Sequence, residues 1–162
     1  MTDTPVNYFY YIRIPESTYH AVFDDFPARV KNAETDFIGE RPIACVCVSY
    51  FPGRDRYVRG VSICSPIDPF VKRIGRAKAS AYANSFARKA VDGSLSKPYS
   101  VTTRANSRTL RTMLDLIQDD TDLNLWMEDG KRFAKATFNL KREDLTPYEQ
   151  RLTQDRPEAV SR

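Results

Sequence analysis

Residues 41–93 read RPIACVCVSYFPGRDRYVRGVSICSPIDPFVKRIGRAKASAYANSFARKAVDG, and here strand periodicity, turn chemistry, helix-start chemistry and charge agree. Ile43 to Val48 is an unbroken apolar run bounded by Pro42 and Pro52-Gly53, which predicts a central strand buried on both faces. Proline presets φ and glycine tolerates positive φ, so Pro52-Gly53-Arg54-Asp55 predicts a turn and Arg56 to Cys64 an antiparallel return strand. Gly60 within it marks a bulge or a close backbone approach. Ser65-Pro66-Ile67-Asp68 has the spacing of a capping box, and Asp68-Pro69 offers a second start. A helix from about Pro66 to Val91 follows.

On that helix Phe70, Ile74, Tyr82 and Phe86 share an i+4 row with Ala77 and Ala81 beside it, which reads as the core-facing stripe. A parallel row of small residues, Gly75, Ala79, Ala83 and Ala87, offers close approach to a second helix, a subunit or a ligand, and a homo-oligomer is expected through it. Lys72, Arg73, Arg76 and Lys78 crowd the first half, where the macrodipole favours anions, so they call for a negative partner.

The 162 residues suffice for one domain, read as residues 1–153 with a polar tail over 154–162. No apolar run approaches membrane-spanning length and the first residues lack signal-peptide order, so a cytoplasmic protein is expected. Cys45, Cys47 and Cys64 are an odd set within strands, which argues against a disulfide framework. Zinc would need a fourth ligand, and the single histidine, His20, lies on a separate element; no metal and no cofactor are expected. Lys and Arg against Asp and Glu give 3 − 7 = −4 over residues 1–40, 14 − 3 = +11 over 41–112 and 8 − 11 = −3 over 113–162. The basic centre is either neutralised by the acidic flanks or is the surface for an anionic ligand.

In chain order, Asn7 to Ile14 predicts a strand, and Pro15-Glu16-Ser17 starts a helix to about Asp25 with Tyr19, Val22, Phe23 and Phe26 inward. After Gly93, GSLSKPYSVTTRANS is a polar connection expected to be a loop over a site. Ser107 can cap a helix whose Leu110, Met113, Leu114 and Ile117 share a face. Asp129-Gly130 predicts a hairpin between Leu123–Glu128 and Lys131–Leu140, and Thr146-Pro147-Tyr148-Glu149 a capped terminal helix. The order β α β β α (α) β β α defines an α+β fold. It predicts an antiparallel sheet with helices on one face, in the ferredoxin-like split βαβ arrangement, with a C-terminal hairpin and short helix.

No Gly-rich phosphate loop, metal motif or nucleophile beside a histidine base occurs, so a non-enzyme is expected. An anionic small molecule, a nucleotide first, would sit at the strand-to-helix junction near Ser65. Arg73, Arg76, Arg104, Arg108 and Arg111 form its clamp, and Tyr8, Tyr10, Tyr57 and Tyr82 are the aromatic candidates. The alternative is nucleic acid bound by the basic centre. Val58-Arg59-Gly60-Val61-Ser62-Ile63 resembles the longer ribonucleoprotein motif of RNA-recognition domains in its Arg-Gly pair, but has Val61 and Ile63 where that family stacks bases on aromatics. A third reading is an inhibitor whose acidic flanks bind a host protein.

The stretch SICSPIDPFVKRIGRAKASAYA, in the form S-x-C-x-P-x-D-x-F-x4-G-R-x2-A beginning at Ser62, resembles a small protein family of tailed bacteriophages. The resemblance covers about thirty residues and assigns no site residue. It implies a phage-encoded accessory protein with a host-interaction or anti-defence role in the host cytoplasm, acting by non-catalytic sequestration of a nucleotide signal or by occupying a host protein or nucleic acid.

Overall fold

The computed structural model describes residues 4–23, 39–66, 69–87, 99–123, 125 and 129–159. In chain order the elements are β1 (Val6–Pro15), α1 (Glu16–Phe23), β2 (Glu40–Phe51), β3 (Arg56–Ile63), α2 (Lys72–Ala87), β4 (Tyr99–Arg104), α3 (Arg108–Asp120), β5 (Arg132–Leu140) and α4 (Pro147–Leu152). The strands form one sheet in the order β1-β2-β3-β5-β4, every neighbouring pair antiparallel. The fold is α+β.

The apolar run of β2 is buried along its whole length after Glu40, because both faces of the sheet are covered. Its alternate residues separate two cores. Ala44, Val46, Val48 and Tyr50 join Ile12, Ile14, Tyr19 and Phe23 on one face, where α3 contributes Met113, Leu114 and Ile117. Cys45, Cys47 and Phe51 join Val58, Ala136 and Phe138 on the other, where α2 contributes Ala79 and Ala83. Period-two alternation makes this division automatic once both faces are roofed.

The single-faced, ferredoxin-like arrangement is thereby corrected. In a split βαβ unit the first helix carries the chain across to a parallel strand, which places the first strand inside the sheet. Here β1 is an edge strand antiparallel to β2: the ladder closes at Pro15 opposite Glu40, and Glu16 N–H donates to the Gly39 carbonyl. Helix α1 follows β1 at the closed end of this antiparallel pair, and residues 24–38 lie outside the described residues. The β2–β3 turn is as expected, with Asp55 at φ 51° and its carboxylate accepting from the Tyr50 hydroxyl at 2.8 Å.

The two rows of α2 exchange roles. Gly75, Ala79 and Ala83 are buried against the sheet, whereas Ile74 is 49% exposed and Ala77 and Ala81 face outward. A Cβ placed on Gly60 of β3 would lie 2.2 Å from the Ala79 carbonyl oxygen and 2.8 Å from the Ala83 nitrogen. Helix backbone rests on strand backbone there, and large side chains at the contact would hold the two apart. The small row is therefore core packing at Gly75, Ala79 and Ala83 and is not free to seat a subunit; the side chains of Phe86 and Ala87 lie outside the described residues. The helix also starts later than Pro66. Pro69 disfavours helical backbone in the residue before it, and Phe70 turns into the core against Tyr11, with ring centroids 5.8 Å apart. Asp68 lies outside the described residues.

Two further expectations are corrected. Residues 99–104 of the supposed polar loop are strand β4, since Tyr, Val and two Thr favour extended backbone and β5 offers them a ladder. Asp129 and Gly130 do make a turn, with Gly130 at φ +65°. The expected hairpin partner does not become a strand at Leu123 or Leu125: β3 pairs with β5 only from Ala136 onward, and Leu125 meets the start of β5 through its carbonyl, which accepts from Ala134 N–H at 3.2 Å. Instead, Leu123 and Leu125 are buried in the α3-side core. Helix α3 and its cap are as expected: Ser107 Oγ accepts from Leu110 N–H at 3.0 Å. In α1, Tyr19 and Phe23 point inward as read, but Val22 is 37% exposed, and Phe26 lies outside the described residues. No helix among the described residues is long and apolar enough to cross a membrane.

Candidate anion-binding site

Two arginines of the basic centre are neutralised by the acidic flanks. Arg41 is buried, stacks over the Tyr19 ring at 4.4 Å and pairs with Glu16 at 3.1 Å. Arg59 reaches across from β3 to Glu149 on α4, both of its guanidinium N–H groups meeting the carboxylate, Nε at 2.8 Å from Oε2 and Nη2 on Oε1. Glu149 is wholly buried, and its two oxygens also accept from the Tyr10 hydroxyl at 2.8 Å and the Thr146 N–H at 3.0 Å. Burial alone would raise this carboxyl, but the bonds and charge of Arg59, with Thr146 and Tyr10, outweigh it and hold Glu149 below the usual carboxylate range. Burial and the neighbouring Glu149 push the Tyr10 hydroxyl well above the usual phenol range.

This node assigns structural work to residues that had looked like site residues. Tyr10 is a bond donor to the node, with its ring tilted against Tyr148 at 5.1 Å. Tyr57 is buried against Tyr50 at 4.8 Å, and Tyr8 is half-buried on the same face. Tyr82 sits across the sheet beneath Lys135, 5.1 Å from its ring centroid. The Arg59-Gly60 pair likewise has two structural causes, the Glu149 bond and the seat for α2. Base stacking on an open sheet, the mode of RNA-recognition domains, has no face to use.

The arginine clamp divides as well. Arg73 and Arg76 are exposed on α2, over one face of the sheet; Arg108 and Arg111 are exposed on α3, over the other. One copy of the chain cannot close these four around one ligand. Ser65, exposed beyond β3, lines a hollow of about 330 Å³ with Cys64, Phe70, Ile74 and Lys78. Neither Arg73 nor Arg76 lines it.

The other three arginines lie at one end of the sheet, where β4 runs into α3, beside cations that sequence reading left out. Arg104 ends β4 directly opposite Arg132, the first residue of β5. Next to that pair, Ala105 N–H donates to the Lys131 carbonyl at 2.8 Å. Gly130, preceding Lys131, lines an open basin of about 510 Å³ with Arg108, Arg111, Thr112, Asp115 and Gln118 of α3. Arg104, Arg108, Arg111, Lys131 and Arg132 are all exposed, and none forms an ion pair among the described residues. Asp129 is the nearby acid on the turn; the Lys131 N–H, bonded to it at 2.9 Å, leads the causes that hold its carboxyl below the usual range. Lys131 and Arg132 were legible only as the far arm of a hairpin, and their meeting with Arg104 required the β4–β5 ladder.

The two thiols of β2 are buried in the α2-side core. Burial pushes Cys45 up to about 12 and Cys47 up to about 11, so both remain protonated near neutrality. Among the described residues no group of three or more His, Cys, Asp or Glu side chains could hold a metal.

Fold and site together define an antiparallel sheet roofed on both faces, with a cationic end where β4, β5 and α3 meet. No protein-family model, no curated protein and no solved structure matches the chain.

Proposed function

We propose that the protein is a non-catalytic binder of a phosphate-bearing anionic ligand, seated at the cationic end formed by Arg104, Arg132, Lys131, Arg108 and Arg111. The observation that carries this reading is the Arg104–Arg132 pair. Like charges directly opposite on an antiparallel ladder destabilise it, and a fold that keeps two arginines there, with three more cations around them, is relieved by a bound anion. Phosphate suits arginine because the planar guanidinium meets its oxygens in pairs. Several titratable groups with shifted protonation elsewhere, Glu149, Arg59, Tyr10 and the two buried cysteines among them, are engaged in structure, which supports a binding role.

The resemblance of the strand-to-helix motif to a tailed-phage family favours an accessory role in which such binding acts on the host, through a nucleotide-derived signal or nucleic acid. Calorimetric titration with inorganic triphosphate tests the site directly. Wild-type protein should bind and an Arg104→Ala/Arg108→Ala variant should bind at least tenfold more weakly, the loss of about 1.4 kcal/mol that charge-assisted bonds readily account for. Equal affinity in a folded variant would remove the assignment.

A further inference from the structure

We infer that the natural occupant of the cationic end is an extended phosphodiester backbone, that of a nucleic acid, held by its phosphates with its bases unread; the inference rests on the phosphate-binding reading above. The basin at this end is open, and among the described residues its lining besides Gly130 is polar or charged: Arg108, Arg111, Thr112, Asp115 and Gln118. A nucleotide pocket buries most of its ligand and gives the base an apolar wall. Among its described residues this basin offers donors along a helix face and no such wall.

Its length also fits a chain of phosphates. From Arg108 to Gln118 the polar face advances ten residues, or about 15 Å at 1.5 Å each, with its cations Arg108 and Arg111 in the first turn of α3 and the Arg104–Arg132 pair at the end of the neighbouring strands. Five cations, less Asp115 and Asp129, leave 5 − 2 = +3 at this end. That charge is spread over a helical turn, a strand end and a turn segment, so one terminal phosphate cannot meet all of it. Successive phosphodiesters can, and contacts to phosphates fix position on a nucleic acid without selecting sequence. Asp115, part-way along α3, marks where the cationic track ends and the polar floor begins.

The test is fluorescence anisotropy with three probes: a short labelled duplex of mixed sequence, the corresponding single strand, and labelled ATP. Wild-type protein should bind at least one oligonucleotide regardless of its sequence, with log affinity for duplex falling against log salt at a slope of about −2.7 for three neutralised phosphates. A fourfold rise in salt then weakens binding roughly 40-fold. An Arg104→Ala/Arg108→Ala/Arg111→Ala variant should lose about two to three units of that slope; all three side chains are exposed, and unchanged circular dichroism would certify the fold. Stronger binding of duplex or of single strand tells which form the track accepts, and either supports the inference. If ATP binds with an arginine-dependent affinity while both oligonucleotides do not, the backbone inference falls and the phosphate reading stands. No binding of any probe removes both, and oligonucleotide binding unaffected in the triple variant would place the backbone elsewhere and overturn the inference.

Discussion

Arg59 and Arg104 stand on strands of one sheet and contribute equally to the charge of the basic centre, yet their surroundings are opposite. Arg59 is nearly sealed from water and meets a carboxylate that takes four hydrogen bonds, two from Arg59 itself and one each from Tyr10 and Thr146. Arg104 is exposed, faces a second arginine and has no ion pair among the described residues. The first arrangement has its counter-ion built into the fold, drawn from the acidic C-terminal flank. The second has none among the described residues, and in the proposed reading its counter-ion is the ligand. Charge counted along a sequence mixes these two kinds of cation, and only one kind points to a ligand.

The contrast breaks most sharply at Glu149. Glu149→Ala leaves Arg59 buried without a partner and strips Tyr10 and Thr146 of their acceptor, so it should cost about 3–5 kcal/mol, the range for breaking a buried pair. Urea unfolding measures it. Arg59→Met/Glu149→Leu removes both charges and should recover most of that loss, leaving about 1 kcal/mol for the forfeited helix cap. If the double variant were as unstable as Glu149→Ala, packing rather than the unpaired charge would be the cause.

Acid sharpens the same comparison. Because the folded carboxyl of Glu149 sits below its unfolded value of about 4.3, the unfolded chain takes up this proton first as pH falls. The stabilisation is complete above the unfolded value, declines beneath it and is gone once pH has passed through the folded value. Stability plotted against pH should therefore be level through the neutral range and fall below about pH 4. Glu149→Gln, less stable at neutral pH, should show a shallower acid limb; an unchanged limb would assign the acid loss to other carboxylates.

Local chemistry made much of the fold legible, and long-range pairing made the rest opaque. The β2–β3 hairpin, the Ser107 cap of α3 and the Thr146–Glu149 capping box of α4 are each written within a few neighbouring residues. That the capping glutamate also holds Arg59 and Tyr10 is not, because those partners lie 90 and 139 residues away. The faces of α2 misled for a different reason. Hydrophobic size implied that Ile74 and Phe70 defined one buried stripe, whereas contact with Gly60 demands the smallest side chains at the interface. Gly60 itself carried the signal, as a glycine in a strand, but its partner helix could not be read from it. Arg104, Arg108 and Arg111 were legible as a group around the start of α3. Lys131 and Arg132 were not, because β4 looked like polar loop and its ladder with β5 had no local signature.

The smallest effect expected is also the one most specific to the exposed cluster. Arg104→Thr keeps a β-prone residue on the edge strand while removing one side of the like-charge pair. In low salt without anions it should raise stability by about 0.3 kcal/mol, within the modest range of cross-strand pairs on a solvated surface. For a chain of this size that is a rise of about 1 °C in Tm. Salt should erase the difference, since exposed charges are screened at about 10 Å in 0.1 M salt. Inorganic triphosphate should reverse it, because a ligand stabilises whichever folded protein binds it more tightly, and wild type retains the full cationic end. A residue that weakens the free protein and strengthens the bound one is a binding residue. Scanning calorimetry with and without triphosphate would show the crossing; a variant less stable in both conditions would make Arg104 structural, like Arg59, and abolish the distinction between the two regions.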